Sequence, residues 1–314
     1  MRHVAIVLLM FALSAFSQDY RAKVQGFVTD PSAAAIPGAA VVLRNIHTGI
    51  EVTRIASEQG LYLFDFVEPG EYELRVTAEG FSGFLQKNIT VQTRGDVTVS
   101  ALLQLARMAE NVTVSTAPAA VQFNTASIDQ TINQTMISNL PVISRNPYDL
   151  MLLDPMVANN NYANLLNNTP NYLWSSTSSV VGGANAVTTN TNDNLLDGSS
   201  SQGGQKGSYA PPMDAIQEIS VQVNGIDAEF GHSAGGVTSI SMKSGTNEIH
   251  GTAYYFGRNP VLDAASNGLT HAYSPVRNHI WGVTGSLPMS KNKLFTFTAS
   301  EGWRSKSPVT RYFT

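Results

Sequence analysis

Cysteine is absent from all 314 residues, which excludes a disulfide framework, thiol chemistry and cysteine-based metal or redox centres. Charge is scarce as well. Asp, Glu, Lys and Arg make up 13% of the chain, where a soluble protein carries about 25%, and that shortage fits surfaces facing lipid or other protein. The net charge is only −4 and Lys and Arg form no cluster, so there is no field to hold an anionic polymer and nucleic-acid binding is excluded. After Phe16 no apolar run approaches the roughly 18 residues a spanning helix needs, so any insertion into a membrane must use strands.

Catalytic patterns are missing too. His3, His47, His232, His250, His271 and His279 are scattered, with no His-Glu-x-x-His spacing to set two ligands on one helical face. Lys243-Ser244-Gly245-Thr246 lacks the preceding Gly-x-x-x-x-Gly whose amides cradle phosphate. Asn192 to Gly198 offers side-chain oxygens, but not at the alternating positions of an EF-hand loop, and no distal glutamate closes it. No Gly-x-Ser-x-Gly elbow supports a serine triad. No catalytic residue, cofactor or metal site is assigned.

What is present begins with an export signal. Arg2 and His3 precede an unbroken apolar run from Val4 to Leu13, and Ala15-Phe16-Ser17 places small residues where a signal peptidase reads. Cleavage is expected after Ser17. From Ala22 to Leu105 short β-prone runs alternate with turn signals, the pattern of a β-sandwich. Tyr72, Leu74 and Val76 share one face of a strand and Glu71, Glu73 and Arg75 the other, because side chains alternate along it. Val97, Val99, Ala101, Leu103 and Leu105 repeat the pattern, and Pro37-Gly38 and Pro69-Gly70 supply turns.

Gly26-Phe27-Val28-Thr29-Asp30, Ile36-Pro37-Gly38-Ala39, Gly60-Leu61-Tyr62 and Pro69-Gly70-Glu71-Tyr72 resemble the carboxypeptidase regulatory-like domain. That resemblance implies a seven-stranded, transthyretin-like sandwich with a carbohydrate-binding-like fold and no catalysis of its own. Sugar binding would need an exposed aromatic platform, and none can be picked out, because Tyr62, Phe64 and Tyr72 fit core positions equally well. Beyond it, Glu110, Asn111, Val112, Thr113, Val114, Ser115, Thr116 and Ala117 form a polar β-prone stretch that reads either as a linker or as a TonB box. The second reading rests on resemblance and implies capture by the periplasmic partner TonB through strand addition, in which main-chain hydrogen bonds supply the affinity.

Between Ala126 and Pro155, Ile128, Ile132, Met136, Ile137 and Leu140 recur at mixed three- and four-residue spacing and predict a short helix ending before Pro141. Arg145-Asn146-Pro147-Tyr148-Asp149-Leu150-Met151-Leu152-Leu153-Asp154-Pro155 is similar to the opening of a plug domain. Strand-like Ile216 to Val223 and Gly235 to Met242 follow. Asp197-Gly198, Pro212-x-Asp214-Ala215-Ile216-Gln217-Glu218, Asp227-Ala228-Glu229-Phe230-Gly231, Gly235-Gly236 and Lys243-Ser244-Gly245-Thr246-Asn247-x-x-His250-Gly251 then occur in the order found in Oar-like TonB-dependent receptors. Gly231, Gly235 and Gly236 are expected to allow turns or close approach, and Gly245 to turn the chain from plug to barrel.

The last stretch has barrel geometry, since membrane strands need roughly 9–11 residues and alternate lipid-facing with lumen-facing side chains. Phe295, Phe297 and Ala299 oppose Thr296, Thr298 and Ser300, and Trp281, Val283 and Leu287 oppose Gly282, Thr284 and Ser286. His250 to Arg258 makes the first strand, and Gly285-Ser286-Leu287-Pro288 stands where the family has a glycine- and proline-rich barrel entrance.

The expected plan is therefore mainly β: a signal peptide (1–17), a carboxypeptidase regulatory-like sandwich (18–106), a linker with the TonB box (107–120), an α+β plug domain (121–246) and the first strands of a truncated outer-membrane β-barrel (247–314). A plugged transporter uses about 22 strands, so the sequence reads as a fragment or a truncated frame. The implied function is ligand uptake across the outer membrane, with TonB, outer-membrane lipid and an extracellular carbohydrate or peptide as partners and no enzymatic activity. The alternatives are an exported binding module that transports nothing and an accessory domain of a secreted carboxypeptidase.

Overall fold

Strict alternation of apolar and polar side chains builds the first unit. The computed structural model describes residues 20–105, 112–114, 128–142, 145–159, 179–181, 192–203, 206–207, 209–224, 236–262 and 276–306. The strands β1 (Ala22–Thr29), β2 (Ala40–Asn45), β3 (Glu51–Ile55), β4 (Leu61–Val67), β5 (Gly70–Thr77), β6 (Phe84–Val91), β7 (Asp96–Thr98), β8 (Ala101–Leu102) and β9 (Val112–Val114) form two sheets. One is ordered β4-β1-β7, with β8 also on β1, and the other β3-β2-β5-β6-β9. Their facing rows close one core that includes Val24, Val41, Tyr62, Phe64, Leu74, Val76 and Ile89, and the three aromatics Tyr62, Phe64 and Tyr72 are core residues, which settles between core and platform for them. The row from Val97 stays buried through Leu103, but Leu105 is 71% exposed. It has left the sandwich and bridges only to Phe81.

The second unit is a sheet ordered β10-β17-β18-β13-β14, from β10 (Ile128–Asn133), β13 (Asn192–Leu196), β14 (Ser199–Ser200), β17 (Ile216–Asn224) and β18 (Gly236–Met242). Two short pairs accompany it, β11 (Val157–Asn159) with β12 (Ser179–Val181) and β15 (Gln202–Gly203) with β16 (Lys206–Gly207). Helix α1 spans only Gln134–Asn139, so the predicted helix is half strand. Ile128 and Ile132 lie in β10, because a spacing of four keeps two residues on one face of a strand as well as of a helix. The switch comes at Asn133, whose side chain caps α1 by accepting from the Met136 N–H. Asp197 and Gly198 both have positive φ, 46° and 75°, and join β13 to β14 as a two-residue hairpin of the Asp-Gly kind. The oxygens of Asn192 to Gly198 thus belong to a strand and its turn, and Asp197 Oδ1 accepts from the Met242 N–H at 2.9 Å.

The third unit is an antiparallel meander of β19 (His250–Arg258), β20 (Arg277–Ser290) and β21 (Leu294–Lys306). β20 runs straight through Ser286 and Leu287, and the chain reverses later, at Lys291 to Lys293, with Asn292 at φ 60°. Register sets the faces. Val283 pairs with Ser300 and Leu287 with Thr296, while Ser286 pairs with Phe297. Trp281, Val283 and Leu287 therefore share a face with Thr296, Thr298 and Ser300, and Phe295 and Phe297 lie on the opposite one. The expected signal peptide (1–17), residues 110, 111 and 115–117 of the candidate TonB box, Gly231 and Gly235 lie outside the described residues. No helix among the described residues is long and apolar enough to cross a membrane.

Candidate functional site

The three motifs around Arg145, Asp214 and Lys243 are far apart in sequence and meet at one point between the second and third units. Asn146 accepts from the Tyr148 N–H and Pro147 opens the 3-10 turn Pro147–Leu153, which holds Arg145 just ahead of a capped element. Arg145 itself has φ 52°, a left-handed conformation that is uncommon outside glycine and gathers at functional sites. Its side chain is 12% exposed, its guanidinium bonds Asp214, and its Nε lies 3.8 Å from Glu301 Oε2. It also stacks over Phe256 at 4.0 Å and Tyr254 at 4.9 Å from the ring centres. Tyr254 donates to Glu301 Oε2 at 2.6 Å. Lys243 Nζ donates to the Asp214 carbonyl at 2.9 Å. One cation thus ties the second sheet to β19 and β21, beside a cleft of about 380 Å³ lined by α1, Arg145, Asp214, Lys243 and Phe256.

Sequence reasoning assigned no role to Arg145 as an ion. The signal was available, because Arg145 is the single Lys or Arg between Arg107 and Lys206. The one cation in so long a stretch must find a buried acid or remain in water. Gly245 acts by close approach and not by an unusual φ: a Cβ there would sit 2.6 Å from Phe295 Cβ and 2.7 Å from the Thr296 backbone.

A second contact joins the sandwich to the second sheet. The turn after β6 presents Thr93, whose N–H donates to Glu218 Oε1 and whose hydroxyl lies 2.5 Å from the Ser241 hydroxyl. Glu218 and Ser241 are direct partners across β17 and β18. Burial pushes the Glu218 carboxyl above its usual 4.5, although the Thr93 bonds pull it back. A raised carboxyl pKa means that the folded state binds the extra proton, so this group's contribution is largest below the ordinary value and is lost as pH rises through the raised one. Glu218→Gln, which keeps an acceptor for Thr93 without the charge, is expected to hold stability at neutral pH and to flatten its dependence on pH just above the carboxylate range. Thermal unfolding across that range checks it, and an unchanged slope in the variant counts against Glu218 as the source. Elsewhere the β2–β3 turn of the sandwich touches the third unit, with Asn247 Nδ2 donating to the Thr48 carbonyl at 2.6 Å and to Asn292 Oδ1 at 2.8 Å.

Of the candidate TonB box, the described part is Val112–Val114, which is β9. It lies in parallel on β6, Val112 opposite Phe84, Thr113 opposite Leu85 and Val114 opposite Gln86.

Two of these units match known families. Residues 23–104 match the carboxypeptidase regulatory-like domain and residues 241–314 the outer membrane beta barrel domain. The chain is therefore an outer-membrane protein that joins a regulatory-like sandwich to β-barrel strands. More narrowly, it is similar to the TonB-dependent transporter Oar of Myxococcus xanthus, with 24% identity over 308 residues. That alignment covers 92% of this chain and 27% of Oar, so the chain spans about a quarter of the length of that relative. Among solved structures, the transporter YddB of Escherichia coli overlaps 57% of this chain and 26% of its own at 15% identity and a TM-score of 0.43. The siderophore receptor PirA of Acinetobacter baumannii overlaps 55% and 24% at 20% identity and a TM-score of 0.39. Both overlaps are too loose to bear on function.

Proposed function

We propose that this chain is the N-terminal portion of a TonB-dependent transporter: an exported sandwich (18–106), a linker carrying the handle that TonB grips (107–120), a plug (121–246) and the first strands of the surrounding barrel (247–314). It performs no catalysis. Ligand is captured from outside, TonB takes residues 110–117 as an added strand, and force applied there loosens the plug so that a path opens. The Arg145 cluster suits this scheme, since its contacts with Asp214, Glu301, Phe256 and Tyr254 would anchor the plug on the barrel wall. The observation that carries the reading is the length of the alignment with Oar, which runs over sandwich, central sheet and barrel strands alike.

Capture of the handle supplies the test. Purified periplasmic domain of TonB is expected to bind the chain in detergent, and Val112→Pro or Val114→Pro to weaken that binding about fivefold, because each removes one ladder donor with a net worth of about 1 kcal/mol. Unchanged binding by both variants returns residues 110–117 to the role of linker.

A further inference from the structure

We infer that the first half of the β6 edge is a strand-acceptor site that stores the handle, so that TonB must take β9 from the sandwich by strand exchange. The inference rests on the reading of residues 110–117 as that handle.

The β6 edge has two halves with different fates. From Lys87 to Val91 it is protected by its own sequence. Asn88 adopts φ 58° and the pairing with β5 slips between Tyr72 and Leu74, and a bulge with an exposed lysine is a common way to stop a further strand from adding. Phe84, Leu85 and Gln86 carry no such guard. On one side they pair with Val76, Arg75 and Leu74 of β5, which leaves a regular three-residue ladder on the other. A regular open ladder takes up a strand from whatever source is nearest. β9 fills those three positions and no others.

The fold also delivers β9 to that place. Leu105 bridges to Phe81, and Gln104 accepts from the Ser82 N–H at 2.8 Å. The chain thus leaves the sandwich just ahead of Phe84, and six residues separate Leu105 from Val112. A short tether keeps the effective concentration of the strand at its own edge high, so three residues suffice for occupancy. β9 is also the only parallel neighbour in an otherwise antiparallel sheet. It therefore joins the sandwich as an addition from outside the meander, a mode of binding in which backbone bonds give the affinity and are readily exchanged for an equivalent set. TonB offers that equivalent set. Occupancy of the β6 edge then sets how much handle is free, and vacating it uncovers a backbone edge on the sandwich.

The absence of native cysteine permits a direct test. Leu85→Cys with Thr113→Cys places thiols at directly opposed positions in this register, within the spacing a disulfide spans. In the whole chain in detergent, mild oxidation is expected to join them, to lower binding of purified TonB periplasmic domain at least about tenfold, and to be reversed by reductant. Deletion of residues 110–117 separates the two layers of the argument. If deletion abolishes binding and oxidation does not change it, the exchange is overturned while the handle stands. If the deleted chain still binds TonB, the handle reading falls and the store falls with it. Two thiols that both react with maleimide yet never join under oxidation also overturn the pairing.

Discussion

Arg145→Ala is expected to cost the docked second and third units about 3 kcal/mol or more, because it leaves acids uncompensated in a buried site. The Glu301 side chain is 4% exposed and its neighbours there are Arg145 and Tyr254. Water cannot replace the guanidinium at that depth, whereas Asp214, at 31% exposed, is screened and contributes less. Loss of the two aromatic contacts, Phe256 and Tyr254, adds to the effect. Arg145→Lys is expected to fall between wild type and alanine: it keeps the charge but not the fork that bonds Asp214 while its carbon sits over two rings. Denaturant unfolding followed by the fluorescence of Trp281 and Trp303, which sit on β20 and β21, reads the loss. An alanine variant within about 0.5 kcal/mol of wild type, the range of an ordinary surface substitution, rules out the cluster as an anchor.

The largest effect on the sandwich is expected from Gly26→Ala. A Cβ at Gly26 would lie 1.9 Å from the Val99 carbonyl oxygen and 2.6 Å from its carbon. Both belong to backbone that cannot swing aside. The same carbonyl accepts from the Tyr62 hydroxyl, and the Val99 N–H donates to Gln25 at 2.8 Å, so displacing it breaks a local network. Burial raises the Tyr62 pKa strongly, and its hydroxyl has no water to turn to. The cost is expected at about 3 kcal/mol or more, at the upper end for overpacking. Gly38→Ala is the control: its φ is +74° but nothing lies within 4 Å of the added carbon, so only the left-handed backbone is penalised, by about 1 kcal/mol. Circular dichroism and thermal melting of residues 18–106 compare the two. Equal losses at Gly26 and Gly38 exclude close packing as the reason for glycine at Gly26.

Legibility followed the range of the interaction concerned. Tyr72, Leu74 and Val76 announce a half-buried strand by themselves, because the period of two is local. Ile128 and Ile132 misled for the same local reason, as their spacing suits either period and only pairing with Asn224 and Ile219 of β17 decides it. The motif segments at Arg145, Asp214 and Lys243 were visible as separate pieces. Their convergence on Glu301, Phe256 and Tyr254 was not, since these residues come from two strands of another unit. The Thr93 contact with Glu218 was equally hidden, Thr93 being an ordinary turn residue until a second sheet is packed against it.

While the order of the units came from resemblance alone, the sequence by itself determined the β character, the alternating rows of the sandwich and the places of β19 to β21, which follow from periodicity and composition. It also excluded thiol chemistry and a disulfide framework. Tertiary structure alone decided which faces of β20 and β21 lie together. Each strand alternates correctly in isolation, but a shift of one residue in register exchanges its faces, and the observed register puts Trp281 and Val283 opposite in facing to Phe295 and Phe297. Tertiary structure also decided where Val112–Val114 goes. A strand held by backbone hydrogen bonds needs little from its side chains, so its partner is set by which edge is open and near, and in this fold that edge is β6.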